Sequence, residues 1–319
     1  DALDTAAKVA RAHFAARGLP DRTHLISRRL GYHGTHGLGT SLGGIEANTV
    51  GWGRLAGDVS VVDFDDAGAL EREILGVGPE RVAAFFCEPV IGAGGVHHPP
   101  DGYLEEVAAI CERYGVLFVA DCVICAFGRL GTWLGIDRWP VVPDMIATAK
   151  GVTSGTLPLG ALLVSGEVAA PFFTGEAGAP VLRHGQTYSG HPVSCAAALA
   201  NLDILEREQL IPRGRDLEGV LAAALAPLQE NELVGELRAG LGLMAALDLA
   251  PGVLAGVPGA VNRLQLDCRA EGVFVRPLGR GIAVSPPLIV TEGEIEAIAS
   301  AIAAGLERFS AGARTSSAT

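Results

Sequence analysis

Val116-Leu117-Phe118-Val119-Ala120-Asp121 is an apolar run that closes on a carboxylate, and Met145-Ile146-Ala147-Thr148-Ala149-Lys150 is a second that closes on a lysine. Neither alternates apolar with polar. Each predicts a strand, over Val116–Ala120 and Met145–Ala147, buried on both faces. Outward from them, His24–Ser27, Val59–Val62, Val82–Cys87 and Leu159–Val164 have the same texture. Residues 66–75, 102–113 and 189–207 read as helices between or after those runs. Residues 1–17 carry Leu3, Ala6, Ala7, Ala10 and Phe14 at helical spacing, ended by Gly18-Leu19-Pro20. Strands that alternate with helices imply an α/β fold with a mostly parallel sheet. In such sheets ligands collect at the carboxyl ends of the strands, which is where Asp121 and Lys150 fall.

From about residue 210 the texture changes. A helix over 214–228 leads to a Gly-rich strand, Gly240–Leu249, a helix over 260–270, short strands over 272–276 and 281–285, and a final helix over 292–309. The reading is a large domain over 1–210 and a smaller α+β domain over 211–319, with a loose polar tail, Ser310–Thr319.

Composition narrows the function. The chain has 319 residues, 49% of them hydrophobic, and a positive mean hydropathy, so it can bury a large core. Only 19% are charged and the net charge is −12, which argues against nucleic acid as a partner. No apolar run is long enough to span a bilayer. The N-terminus lacks a basic-then-apolar leader, and six cysteines in a chain this long are no disulfide framework, so a reducing, cytoplasmic setting is expected. Cys122 and Cys125 form one Cys-x-x-Cys with no second pair, and His97-His98 are adjacent and point apart, so no metal is expected. Of 24 basic residues two are lysine, Lys8 and Lys150, and the remaining 22 are arginine. Lysine chemistry therefore has two candidates.

Lys150 follows a strand and precedes the small residues Gly151-Val152-Thr153-Ser154-Gly155. That context suits a Schiff-base lysine, and equally a surface lysine in a loop. Asp121 could hold a pyridine ring nitrogen protonated, or could cap a turn. Tyr32, between Gly31 and His33-Gly34, could lie flat on a cofactor ring.

Together these segments resemble the class III aminotransferases, pyridoxal-phosphate enzymes of fold type I. The resemblance covers essentially the whole chain. Its segments are Tyr32-His33-Gly34, Glu88-Pro89-Val90 with Gly92-Ala93-Gly94-Gly95, Asp121 to Arg129, Ala149-Lys150-Gly151, His184 to Pro192, and Val275-Arg276-Pro277-Leu278-Gly279 with Ser285-Pro286-Pro287. It implies that Lys150 forms the internal aldimine and moves the substrate proton, and that Asp121 pairs with the pyridinium nitrogen. Tyr32 and Val123 would cover the two ring faces, with His33 and Glu88 in support. Thr187 would contact the phosphate bound by a neighbouring subunit, which implies a homodimer. Arg276 would grip a substrate carboxylate as a bidentate fork, with Arg280 a rival.

The chain departs from the family at Cys122, Ala126 and Thr156. Family members also carry a segment before the first helix, with a loop that holds the cofactor phosphate, and this chain is expected to lack it. The implied reaction is transfer of an amino group between an amine or an omega- or alpha-amino acid and a keto acid, by a ping-pong cycle. The alternatives are an aminomutase, racemase or decarboxylase of the same fold, or an inactive truncated remnant.

Overall fold

A computed structural model describes residues 1–175 and 178–316. The chain forms two compact units. The first takes Asp1–Gly92, Pro99–Phe127 and Trp133–Glu208; the second takes Ala93–His98, Gly128–Thr132 and the chain from Gln209 on.

The first unit runs α1 (Ala2–Ala16), β1 (His24–Arg28), α2 (Gly37–Ser41), β2 (Val59–Val62), α3 (Ala67–Val77), β3 (Val82–Cys87), α4 (Tyr103–Tyr114), β4 (Leu117–Asp121), β5 (Met145–Thr148), β6 (Ala161–Val164), α5 (Gly166–Ala169) and α6 (Pro192–Arg207). Its six strands lie in the order β2-β1-β3-β4-β5-β6. The first five are parallel, and β6 returns antiparallel to β5. The expected mostly parallel sheet is therefore present.

Burial on both faces explains the unbroken apolar runs. Alternate residues of one strand point to opposite faces. Phe85 and Phe118 pack with Ile26, Leu70, Ile74, Val107 and Ile110 on the side of α3 and α4. Leu25, Phe86 and Val119 pack with Ala6, Ala10 and Phe14 of α1 on the other. Every residue of β3 is buried. Each large apolar side chain so placed contributes about 1.5–3 kcal/mol. The Ala-rich inner face of α1 lets that helix approach the sheet closely, and Gly18, at φ +81°, ends it in a conformation other residues resist.

The second unit holds α7 (Leu210–Leu225), β7 (Val234–Arg238), β8 (Ala245–Leu249), α8 (Pro251–Gly256), α9 (Ala260–Ala270), β9 (Arg276–Leu278), β10 (Gly281–Val284) and α10 (Glu292–Ser316). Its four antiparallel strands run β7-β8-β10-β9.

Three expectations are corrected here. β7 was not foreseen, because Gly235, Glu236 and Arg238 dilute its pattern. The strand expected over 272–276 lies instead at Arg276–Leu278, where the turn at Gly279 brings it back against β10. The helix expected to stop at 309 continues to Ser316, since nothing in that stretch forces an end, and residues 317–319 lie outside the described chain.

Candidate active site

The parallel sheet gathers the predicted residues at one edge. Tyr32 and His33 follow β1, Glu88 follows β3, Asp121 ends β4 and Lys150 lies just past β5. The register makes these ends neighbours. Cys87 pairs with Ala120, and Asp121 with Ala147, three residues before Lys150.

Asp121 is 3% exposed and His33 is 2% exposed. Asp121 Oδ2 lies 2.8 Å from His33 Nδ1, and Oδ1 accepts the Val123 N–H at 3.1 Å. The other ring nitrogen, His33 Nε2, is buried with no hydrogen-bond partner among the described residues. Gly31 is fitted to the ring, since a Cβ there would sit 3.1 Å from Nε2.

Glu88 is buried beside this pair. One of its oxygens accepts the Tyr32 N–H and the other the Gly92 N–H, both at 2.9 Å. Burial, and then the neighbouring Asp121 carboxylate, push the Glu88 carboxyl above the usual range; His33 and the two amides work against that rise. The ring of Tyr32 stands half-buried on a backbone that Glu88 fixes.

Behind Glu88 lies a residue that the sequence reading did not single out. Arg28, at the end of β1, is buried and donates to the Glu88 and Phe64 carbonyls. Its guanidinium lies 5.2 Å from the Tyr103 ring centroid. An arginine inside an apolar strand was the available signal, because such a charge must be paired. Burial, helped by the Glu88 and Asp121 carboxylates and opposed by Arg28, pushes the adjacent Cys87 thiol up to about 11, so it is an unreactive thiol.

Lys150 opens a tight turn over 150–153, at φ +39°. Its carbonyl accepts the Gly155 N–H at 3.1 Å. Val123 is half-buried one turn from Asp121. Thr187 is exposed in the turn before α6, and Arg276 is exposed on edge strand β9 of the second unit. Neither joins the buried hydrogen-bond network. Among the described residues no His, Cys, Asp and Glu group could hold a metal ion, and no helix is long and apolar enough to cross a membrane.

A buried carboxylate with a histidine at its back, an aromatic ring on a fixed turn and a lysine just past the adjacent strand form a set suited to an aromatic, aldehyde-bearing cofactor. Comparison with known proteins agrees. The family model described as Aminotransferase class-III matches residues 1–306. The putrescine–pyruvate aminotransferase of Pseudomonas aeruginosa is 36% identical over 318 residues, covering 93% of this chain and 69% of that protein. The omega-aminotransferase of Caulobacter vibrioides is 38% identical over 315 residues, covering 93% of this chain and 71% of that protein. Among solved structures, a PLP-bound amine transaminase from an uncultivated Pseudomonas species superposes with a TM-score of 0.91 at 39% identity, covering 97% of this chain and 74% of that one. An (S)-enantioselective omega-transaminase from Thermomicrobium roseum gives 0.90 at 36% identity, covering 96% and 72%.

Proposed function

The chain belongs to the class III aminotransferases, pyridoxal-phosphate enzymes of fold type I, and from that membership we propose how its own residues divide the work. The observation that carries the proposal is the convergence of Lys150, Asp121, Glu88, Tyr32 and His33 at adjacent strand ends.

The residues fit pyridoxal phosphate. Its aldehyde takes up an amine covalently, and its protonated ring withdraws electrons from the carbon next to that nitrogen. Lys150 would supply the amine that holds the aldehyde carbon. Once displaced by the amino donor, its free Nζ would carry the proton from the donor carbon. Asp121 would hold the ring nitrogen's proton, with His33 fixing the carboxylate from behind. Tyr32 and Val123 would take the two ring faces. Thr187 would meet the phosphate bound by a second copy, and Arg276 would hold a donor carboxylate.

The donor is an amine or an omega- or alpha-amino acid and the acceptor a keto acid, in a ping-pong cycle. The putrescine–pyruvate and omega-amino relatives support that range. A homodimer is supported by α6. Val193, Leu199 and Ile204 stand exposed on a helix whose inner side is also apolar, and a second copy would cover them. Six free thiols fit a cytoplasmic setting.

The test is chemical. The protein is loaded with pyridoxal phosphate, reduced with borohydride and mapped by mass. Lys150 is expected to carry the label, and a label on Lys8 would refute the assignment. Donor alone should bleach the visible band, and keto acid should restore it. An unchanged band, or carbon dioxide release or racemised donor, points to the other chemistries of the fold.

A further inference from the structure

Lys150 sits at φ +39°, in the left-handed region that non-glycine residues avoid. Such a conformation persists only where the surroundings over-determine it. Part of that constraint is local. Gly155 N donates to the Lys150 carbonyl and Ser154 N to the Gly151 carbonyl, both at 3.1 Å. Gly151 is pressed against Phe127, where a Cβ would come within 3.1 Å of the Phe127 Cβ.

Another part comes from α6. Asn201 lies half-buried on that helix, fifty residues along the chain. Its Nδ2 donates to the Gly151 carbonyl at 2.9 Å and to the Val152 carbonyl at 3.1 Å. A carboxamide nitrogen has two N–H groups and the site presents two carbonyls, so donors and acceptors match one for one. The flipped amide would set oxygen against oxygen, which fixes its orientation.

We infer that Asn201 is a positioning residue for Lys150: its carboxamide clamps the two peptide groups that follow the lysine and so sets where Nζ is delivered. The inference rests on the reading of Lys150 as the cofactor-binding lysine.

Asn201→Asp tests this with little change of volume, because it replaces both donors by acceptors. Asn201→Ala removes the clamp. Leu205→Ala is the control, since Leu205 is a buried residue of the same helix and its loss weakens α6 without removing the clamp. Each holoenzyme is titrated for the pH midpoint of its cofactor's visible band, melted, and assayed for kcat and KM. For both Asn201 variants a midpoint shift of about half a pH unit or more is expected, since one unit corresponds to roughly 1.4 kcal/mol. In the same variants kcat should fall about tenfold, with the keto-acid KM within about twofold. Leu205→Ala should lower the melting temperature and leave the midpoint in place. An unmoved midpoint in Asn201→Asp, or an equal shift in Leu205→Ala, overturns the inference. Borohydride mapping of the wild type separates the two failures. A label on Lys150 with an unmoved midpoint removes the clamp alone, and a label elsewhere removes the Lys150 reading and the inference with it.

Discussion

Replacing Glu88 by Gln probes the centre of the site with almost no change of shape. Each Glu88 oxygen accepts one backbone N–H, from Tyr32 and from Gly92, at 2.9 Å. A carboxamide keeps one acceptor and must turn its NH2 toward the other amide. The protonated carboxyl, with one acceptor and one O–H, faces those two amides in the same way, so Gln mimics neutral Glu88. Glu88→Ala leaves both amides without an acceptor and should be destabilising by about 1–3 kcal/mol for each. The comparison of Gln with wild type depends on pH. Burial and Asp121 raise the Glu88 carboxyl above its ordinary range in the folded protein. The native state therefore holds the proton more tightly than the unfolded chain, and wild-type stability falls as pH rises from the unfolded value through the folded one. Glu88→Gln has no such slope, so it should match wild type in acid and gain on it as pH rises. Urea unfolding of both proteins from mild acid to neutrality measures this. A variant that loses ground to wild type as pH rises would refute the account of Glu88.

Gly44→Ala should be destabilising by about 3 kcal/mol, because its Cβ would meet the Arg28 carbonyl oxygen, with the Arg29 Cα at 2.8 Å and Arg28 C at 2.9 Å, all backbone. Thermal melting checks it, and a melting temperature within about 2 °C of wild type would mean the backbone can give there. Arg238→Ala strips Asp248 of contacts at 2.9 and 3.2 Å and leaves the Gly95 carbonyl without a donor. The expected deficit is about 3–5 kcal/mol, partly recovered in the Arg238→Met, Asp248→Leu double variant; a deficit under about 1 kcal/mol would show the pair to be solvent-screened. Arg276→Ala should lower kcat/KM for donors bearing a carboxylate roughly 10- to 150-fold, the equivalent of one charge-assisted bond. Equal losses with simple amines would take Arg276 out of substrate binding.

Residues whose message is local were legible from the sequence. The runs ending at Cys87, Asp121 and Thr148 announced strands because both faces of that sheet are covered and polar residues are admitted only at the ends. The same rule made Asp121 and Lys150 stand out as candidates. What stayed hidden depends on partners far along the chain. Asn201 acts on Gly151, and Arg28 on Glu88. Asp4 of α1 accepts the Leu38 and Gly39 amides at 2.9 Å, fixing the stretch after His33. In sequence each of these reads as an ordinary polar residue on a helix or strand. β7 was hidden for another reason: its alternation is broken by Glu236 and Arg238, and the buried Arg238 is paired there with Glu236 and with Asp248 on the next strand.

The reversed direction of β6 has a consequence for the lysine. Parallel neighbours must be joined by a connection that travels the length of the sheet and returns. An antiparallel neighbour can be reached by a loop that begins and finishes at the same edge. Lys150 is on such a loop, between Thr148 and Ala161, which are themselves paired. It is therefore tethered at both ends along the sheet edge that carries Asp121, one end on the strand beside β4 and the other on the strand beyond it. Lengthening the far part of that loop, beyond Gly155, should tax folding only weakly, about 0.6 kcal/mol for a doubling. An insertion between Thr148 and Lys150 would instead shift the amine along the sheet edge. The loop thus divides into a stretch open to change in length and a single residue, Ala149, that acts as a ruler.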